Sequence, residues 1–413
     1  MSYIPRHLEE KLKFYLEQFP VVVLTGPRQS GKSTLLRHLY QGPGWEYINL
    51  DQRGVWERLK DDPDLFVKDI SSHIIIDEAQ KVPELFHSIK WAVDEGSPHK
   101  VILSGSANFQ LLHQITETLA GRVGILELFP LSINERFARR NILEILDSIS
   151  NSEELLHRLK KRPSLNDKGL FQHLLWGGYP RIALYRKDLW RLNWFENYRT
   201  TYIERDLRDL SQIADIGRFQ RFYAMLAFQI GQMLNLSHLA NEIGISIPTC
   251  LKYLQILESS YQYFLLTPFH VNIRKRLVKL PKVYIWDTGL GNFFLGNHSL
   301  KMLKGAVHFG QIFENAVIVE LLKQSHLLPV KYHAYFWRTS NGAEIDLLLE
   351  KGNRIIPVEI KAGIQVAEHS IRGLQSFMDL KLKKKIPFGI VFYRGDRILR
   401  ITEKILAVPV GYL

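Results

Sequence analysis

Short unbroken apolar runs alternate with helical periodicity over the first third of the chain. Val21-Val22-Val23-Leu24 fits a strand buried on both faces, and Thr34 to Leu39 behind it fits a helix. Tyr47-Ile48-Asn49-Leu50, His73-Ile74-Ile75-Ile76, Lys100-Val101-Ile102-Leu103 and the stretch 124–128 repeat the apolar signature. This alternation predicts an α/β fold over residues 1–140, a doubly wound parallel sheet. From 141 to 215 the pattern turns helical, with a sharp turn at Gly177-Gly178-Tyr179-Pro180. Residues 194–210 there place Tyr198, Tyr202, Arg205 and Arg208 at helical spacing, which suits a helical lid or linker better than a nucleic-acid contact.

Residues 216–300 change pattern again. One helix is predicted over 218–231, a second over 237–243 capped by Ser237 and stopped by Gly244, and a third over 247–258 capped by Ser246. Helix, glycine-containing turn and helix, followed by apolar stretches at 263–266 and 283–286, predict a winged helix. Residues 301–413 begin with an amphipathic helix at 313–322. Strands at 332–338, 344–349 and 354–361, joined by Asn/Gly turns, a helix at 370–379 and a strand at 388–392 follow. The order is α-β-β-β-α-β.

Composition narrows the class. The chain has 413 residues, 46% of them hydrophobic and 23% charged, which suits a globular protein of several domains. No stretch approaches the ~20 apolar residues of a membrane span, and the N-terminus lacks the apolar core of a secretory signal. Cys250 is the single cysteine, so an internal disulfide framework is excluded, and its apolar neighbours read as a buried inert thiol. The expected location is cytoplasmic, with no membrane partner. A net charge of +12 favours polyanions such as DNA.

Candidate chemistry concentrates in two places. Gly26-Pro27-Arg28-Gln29-Ser30-Gly31-Lys32-Ser33, continuing into Thr34, fits the phosphate-binding loop G-x-x-x-x-G-K-[ST] with a strand before it and a helix after. Backbone N–H groups of such a loop cradle a nucleotide's phosphates at a helix N-terminus. Lys32 would reach the β/γ-phosphates and the Ser33 hydroxyl would ligate Mg²⁺. Asp77, ending an apolar strand, would hold Mg²⁺ through water, and Glu78 would orient and deprotonate the attacking water. Ser104, Ser106 and Asn108 compete for sensing the γ-phosphate, and Asp51 lies at the same strand edge. Arg122 fits an arginine finger, acting in cis or from a neighbouring copy in a homo-oligomer, and equally a surface arginine beside a turn.

The second place is C-terminal. Asp346 on one predicted strand and Glu359 and Lys361 on one face of the next suit a Mg²⁺- or Mn²⁺-dependent nuclease, with Glu314 as a further ligand. A structural Glu359–Lys361 ion pair is the competing reading. In the winged helix, Thr249, Lys252 and Tyr253 are the groove-facing candidates, and Arg274, Lys275 and Arg276 belong to the wing. Use of that module for packing or dimerisation remains the alternative.

The segments GPRQSGKS, IIIDEAQKVPELF, ILSGSANFQLL, LAGRVGILELFPLSINE and WGGYPRIAL resemble a prokaryotic group of AAA+-like P-loop ATPases. Members of that group carry a C-terminal domain of unknown function that looks like a restriction-endonuclease fold. The resemblance runs almost end to end. It implies ATP and Mg²⁺ as cofactors, with Lys32, Ser33, Asp77 and Glu78 in the roles derived above. Asp346, Glu359 and Lys361 match the PD-(D/E)XK nuclease signature, and Glu314 its helical acid. The expected function is an ATPase coupling nucleotide state to DNA binding or processing. The alternative is a regulatory ATPase acting on protein partners, its nuclease-like domain serving for binding. A small-molecule phosphotransferase fits less well, because of the tandem Asp77-Glu78 and the multidomain layout.

Overall fold

The computed structural model describes residues 3–40, 42–106, 115, 117–206, 213, 215–270, 280–380 and 382–413. Asn108, Arg208, Arg274, Lys275 and Arg276, and the side chain of Arg205, lie outside the described residues. The chain forms two compact units. The first comprises residues 1–131, 209–212 and 255–262; the second comprises 132–208, 213–254 and 263–413.

In the first unit, helix α1 (Leu8–Gln18) leads into β1 (Val21–Thr25), the phosphate-loop segment and α2 (Lys32–Leu39). There follow β2 (Trp45–Asn49), α3 (Arg53–Asp61), α4 (Pro63–Lys68), β3 (His73–Asp77), α5 (Leu85–Asp94), β4 (Val101–Ser104) and β5 (Val123–Glu127). The five strands run parallel in the order β2-β3-β4-β1-β5. β1 lies between two neighbours under helices and is buried at every position, which is why its sequence shows no alternation. Val21, Val23, Ile74, Ile76 and Leu103 pack against Leu85, Phe86 and Ile89 of α5 in one core. Register aligns the strand ends: Thr25 pairs with Glu127, and Asp77 with both Asn49 and Ser104. All the residues leaving that edge therefore emerge together.

The second unit contains α6 (Ile142–Ser148), α7 (Ser152–Lys160), α8 (Ile216–Phe228), α9 (Leu236–Ile243) and the helix α10 (Ile247–Ser259), whose last turn groups with the first unit. Antiparallel β6 (Tyr263–Leu266) and β7 (Lys282–Ile285) follow. Asn235, not Ser237, caps α9, its Oδ1 accepting from His238 N at 3.0 Å. Ser246 does cap α10, accepting from Thr249 N at 3.2 Å.

Further along this unit come α11 (Phe309–Ser325), β8 (His333–Arg338), β9 (Glu344–Lys351), β10 (Arg354–Lys361), α12 (Arg372–Met378), β11 (Gly389–Tyr393), β12 (Leu399–Arg400) and β13 (Ile405–Pro409). They make a six-stranded mixed sheet ordered β12-β13-β11-β10-β9-β8. The last two strands escaped the sequence reading. α11 is not amphipathic: apart from residues near its start it is buried on every face, including Asn315, Glu320, Gln324 and Ser325. Several of its polar groups find partners inside, as where Asn315 bonds both main-chain groups of Ile285, while Gln324 Nε2 is buried with none among the described residues. The helix predicted over 370–379 opens as a 3-10 turn, Glu368–Ile371, before α12. Among the described residues no helix is long and apolar enough to cross a membrane.

Candidate functional site

The turn after β1 needs backbone that most side chains resist. Gly26, Gln29 and Gly31 have φ of 141°, 63° and 101°, and α2 starts at Lys32 directly behind them. A Cβ on Gly26 would stand 2.3 Å from the Leu128 carbonyl oxygen, so only glycine fits. Pro27 and Ser30 are buried, Arg28, Gln29 and Thr34 are exposed, and Ser33 is half-buried in the first turn of α2. The sequence reading missed Arg6, which holds this loop from below. Its guanidinium donates to Ser30 O at 2.9 Å and Phe129 O at 2.6 Å.

Lys32 Nζ donates to Gly26 O and Pro27 O, both at 3.0 Å. Burial lowers its pKa to about 8, against the pull of Glu78 and Asp77. A buried ammonium bonded only to neutral carbonyls at the start of α2 suits an anion. The buried hydroxyls of Ser30 and Ser104 have no protein partner among the described residues. ATP with Mg²⁺ fits this donor set, with Lys32 for phosphate and Ser33 and Asp77 for the metal.

Asp77 closes β3. Its Oδ2 accepts from the Tyr47 hydroxyl and its Oδ1 from Glu78 N at 3.2 Å. Burial and Asp77 push the Tyr47 phenol up to about 12, and Arg37 stacks 4.5 Å from that ring. Glu78 adopts a left-handed conformation, φ 58° and ψ 40°, which brings Gln80 back toward its carboxylate. Gln80 Nε2 donates to Glu78 Oε2 at 2.5 Å and lies 3.5 Å from Ser106 Oγ. Lys32, Asp77, Glu78 and Ser106 thus share one sheet edge. Tyr47 and Gln80, both overlooked in the sequence, orient the two acids.

Two other candidates depart. Asp51 is exposed and pairs with Lys81 at 2.6 Å. Arg122 directly precedes β5, so it lies at the opposite, N-terminal edge of the parallel sheet. It pairs there with Asp94 at 2.5 Å. The five residues of β5 span about 16 Å at ~3.3 Å each, beyond the reach of an arginine side chain, so a finger acting in cis is excluded. Tyr261, φ 56°, donates to Glu127 Oε1 at 2.7 Å beside the end of β1, its ring edge-on to Phe129.

On α10, Lys252 is exposed and Thr249 half-buried, its hydroxyl 2.8 Å from Ser246 Oγ. Tyr253 is not groove-facing. It is 4% exposed, wedged edge-on against Phe219 and Phe222.

The C-terminal carboxylates do gather. Asp346 Oδ2 accepts from Ile360 N at 2.7 Å, and Lys361 Nζ pairs with Glu359 Oε1 at 2.5 Å. Tyr284 donates to Glu314 Oε1 at 2.5 Å. Lys282, unnoticed in the sequence, pairs with Glu314 at 3.4 Å and Glu344 at 2.6 Å. Burial and the neighbouring Asp346 raise Glu314 to about 7 and Glu359 to about 8, and burial raises Asp346 as well. Glu359 Oε2 is buried with no partner among the described residues. No three His, Cys, Asp or Glu side chains among those residues form a ready metal cage.

These raised carboxyls have a thermodynamic consequence. Glu359 ionises near 8 in the folded chain and near 4.5 when free, so the native state binds the extra proton between those values. Its stabilising contribution is complete below 4.5 and is lost as pH rises through about 8. The thermal midpoint is expected to fall from pH 5 to 9 in chelator. Glu359→Gln, neutral throughout, should flatten that slope by on the order of 5 °C. Melting curves across pH check this.

The fold and this loop define an AAA-type P-loop ATPase. A family model described as an AAA domain matches residues 18–137, and two domains of unknown function, DUF8612 and DUF4143, match 167–301 and 309–413. The chain is 31% identical over 407 residues to the uncharacterized protein Rv2008c of Mycobacterium tuberculosis, covering 98% of this chain and 83% of that one. It therefore belongs to the same protein family as Rv2008c. An uncharacterized protein of Haemophilus influenzae is 24% identical over 394 residues, with 90% of each chain covered. Among solved structures, the Walker-type ATPase PABY2304 of Pyrococcus abyssi overlaps 71% of this chain and 96% of its own at 19% identity, with a TM-score of 0.41. The RuvB Holliday junction branch migration motor of Thermotoga maritima overlaps 63% and 89% at 18% identity, with a TM-score of 0.31.

Proposed function

We propose that the chain hydrolyses ATP at the phosphate loop and couples nucleotide state to DNA held by its second unit. The observation that carries the hydrolytic half is the convergence of Lys32, Asp77, Glu78 and Ser106 on one strand edge. Bound ATP supplies an electrophilic γ-phosphorus and a diphosphate leaving group. Lys32 leaves its carbonyl partners for the phosphates, and Ser33 and Asp77 hold Mg²⁺. Glu78, positioned by Gln80, takes the proton of the attacking water, while Ser106 senses the γ-phosphate. Arg122, if it acts as a finger, serves a neighbouring copy.

For the DNA half, the support is an exposed Lys252 on the second helix of the pair, the net charge, and a cluster in which Asp346 and Glu359 would hold Mg²⁺ or Mn²⁺. Glu314 would add a ligand and Lys361 would stabilise charge at a scissile phosphate. In this proposal the chain comprises an ATPase core, a helical linker, a winged helix and a nuclease-like end.

One observation favours a binding role for that end instead. Lys361 and Lys282 already engage Glu359 and Glu314. In that reading the cluster does not cut, and ATP controls assembly with protein partners.

ATPase rates with DNA, RNA or neither, at low salt, test the coupling. DNA is expected to raise the rate several-fold, and Lys252→Glu to remove the increase while sparing the basal rate. Equal rates under all three conditions would sink the coupling. Plasmid cleavage with Mg²⁺ or Mn²⁺ should vanish in Asp346→Asn/Glu359→Gln; a wild type as inert as that variant leaves only the binding role.

A further inference from the structure

A cavity of about 550 Å³ lies in the second unit, between the approach to α6 and the end of α7. Arg139, Arg140, Arg158, Lys161 and Arg162 line it, with Glu144 as the one carboxylate. Two of these cations are built in. Arg139 donates to Gly411 O at 2.7 Å and Pro163 O at 2.6 Å. Arg162, 9% exposed, donates to Tyr412 O, Arg140 O and Leu413 O, each at 2.8 Å. Main-chain oxygens fix both guanidiniums in place. Arg140, Arg158 and Lys161 are exposed, and none has an ion-pair partner among the described residues.

Placing this much positive charge around one concavity is costly. Burial, with repulsion from Arg139, brings Arg162 down to about 10, and burial lowers Arg139 too. The macrodipole of α7 accounts for cations at its C-terminal turn, Arg158 and Lys161. It does not account for the arginines that face them from before α6. A concave, low-dielectric wall focuses their field outward, and planar guanidinium forks match phosphate oxygens. The volume falls within the ~300–1,000 Å³ of small-molecule sites.

We propose that this pocket is a second anion site, separate from the phosphate loop, that takes a ligand carrying two or more phosphates and about the size of a nucleotide. Such phosphates come from a free nucleotide or from the end of a nucleic-acid strand. The site is independent of ATP hydrolysis and of the C-terminal acids.

Titration calorimetry with pyrophosphate, on full-length Lys32→Ala protein at low salt, tests it. Binding is expected to survive Lys32→Ala and to weaken about tenfold or more when Arg158→Glu and Lys161→Glu are added. The thermal midpoint should fall by no more than a few degrees, since neither side chain holds a protein group and the reversals oppose only the α7 macrodipole. No binding to Lys32→Ala, or undiminished binding after the charge reversals, would overturn the proposal. Competition then separates the sources. Displacement of pyrophosphate by ATP alone assigns a free nucleotide, displacement by a short 5′-phosphorylated oligonucleotide assigns a strand end, and displacement by neither overturns the size assignment.

Discussion

Glu78→Gln is expected to bind ATP as the wild type does and to hydrolyse it about 10²–10⁴-fold more slowly. Glutamine keeps the volume and an acceptor oxygen for the Gln80 amide, so the loop, the left-handed turn and Lys32 stay in place. What disappears is the base. Single-turnover hydrolysis together with a fluorescent-nucleotide titration separates the two quantities. A variant with wild-type turnover would remove Glu78 from the chemistry. Gln80→Leu refines the point. It leaves the base intact but removes the donor 2.5 Å from Oε2, so turnover should drop about tenfold with nucleotide affinity unchanged. A purely structural Gln80 would instead lower the thermal midpoint and affinity together.

Gly26→Ala is the second large effect. The alanine would have to adopt a φ of 141° with its Cβ 2.3 Å from a main-chain oxygen of Leu128, which belongs to the segment leaving β5. Neither side can yield cheaply, because β1 and β5 are locked in register from Val21–Val123 to Thr25–Glu127. The expected loss is about 2–4 kcal/mol of stability, along with nucleotide binding. Gly42→Ala, whose Cβ meets nothing within 4 Å, is the control and should melt like the wild type. Thermal melts and nucleotide titration of both variants check it.

The phosphate loop was readable because its chemistry is contiguous: a buried strand, a turn and a helix within a dozen residues. Arg6 was not, since its acceptors lie 24 and 123 residues away and no local pattern marks a guanidinium bound to carbonyls. Arg122 could have been placed by topology alone. A residue that precedes a parallel strand sits at the edge opposite the residues that follow its neighbours, so the phosphate edge was closed to it within one chain. Tyr253 was likewise decidable, because it falls on the same helical stripe as Cys250 and Leu257, both fully buried. α11 misled for a different reason. Its glutamates, glutamines and asparagine look like a wet face, and only the tertiary surroundings of those groups reveal a buried helix. In the C-terminal cluster the acids could be picked from E-x-K spacing, whereas Lys282 lies 77 residues before Glu359 and enters only through folding.

Tyr261 bears on how such a protein can be inherited. Residues 255–262 group with 1–131, so the phosphate-binding unit is not one uninterrupted stretch of chain. A gene fragment ending near residue 140 would encode every motif residue yet leave Glu127 and Phe129 without the tyrosine that packs on them. Recombination that grafted this ATPase onto another downstream partner would have to carry more than 250 codons to keep it whole. A cut near residue 140 would therefore separate residues 255–262 from the unit they complete.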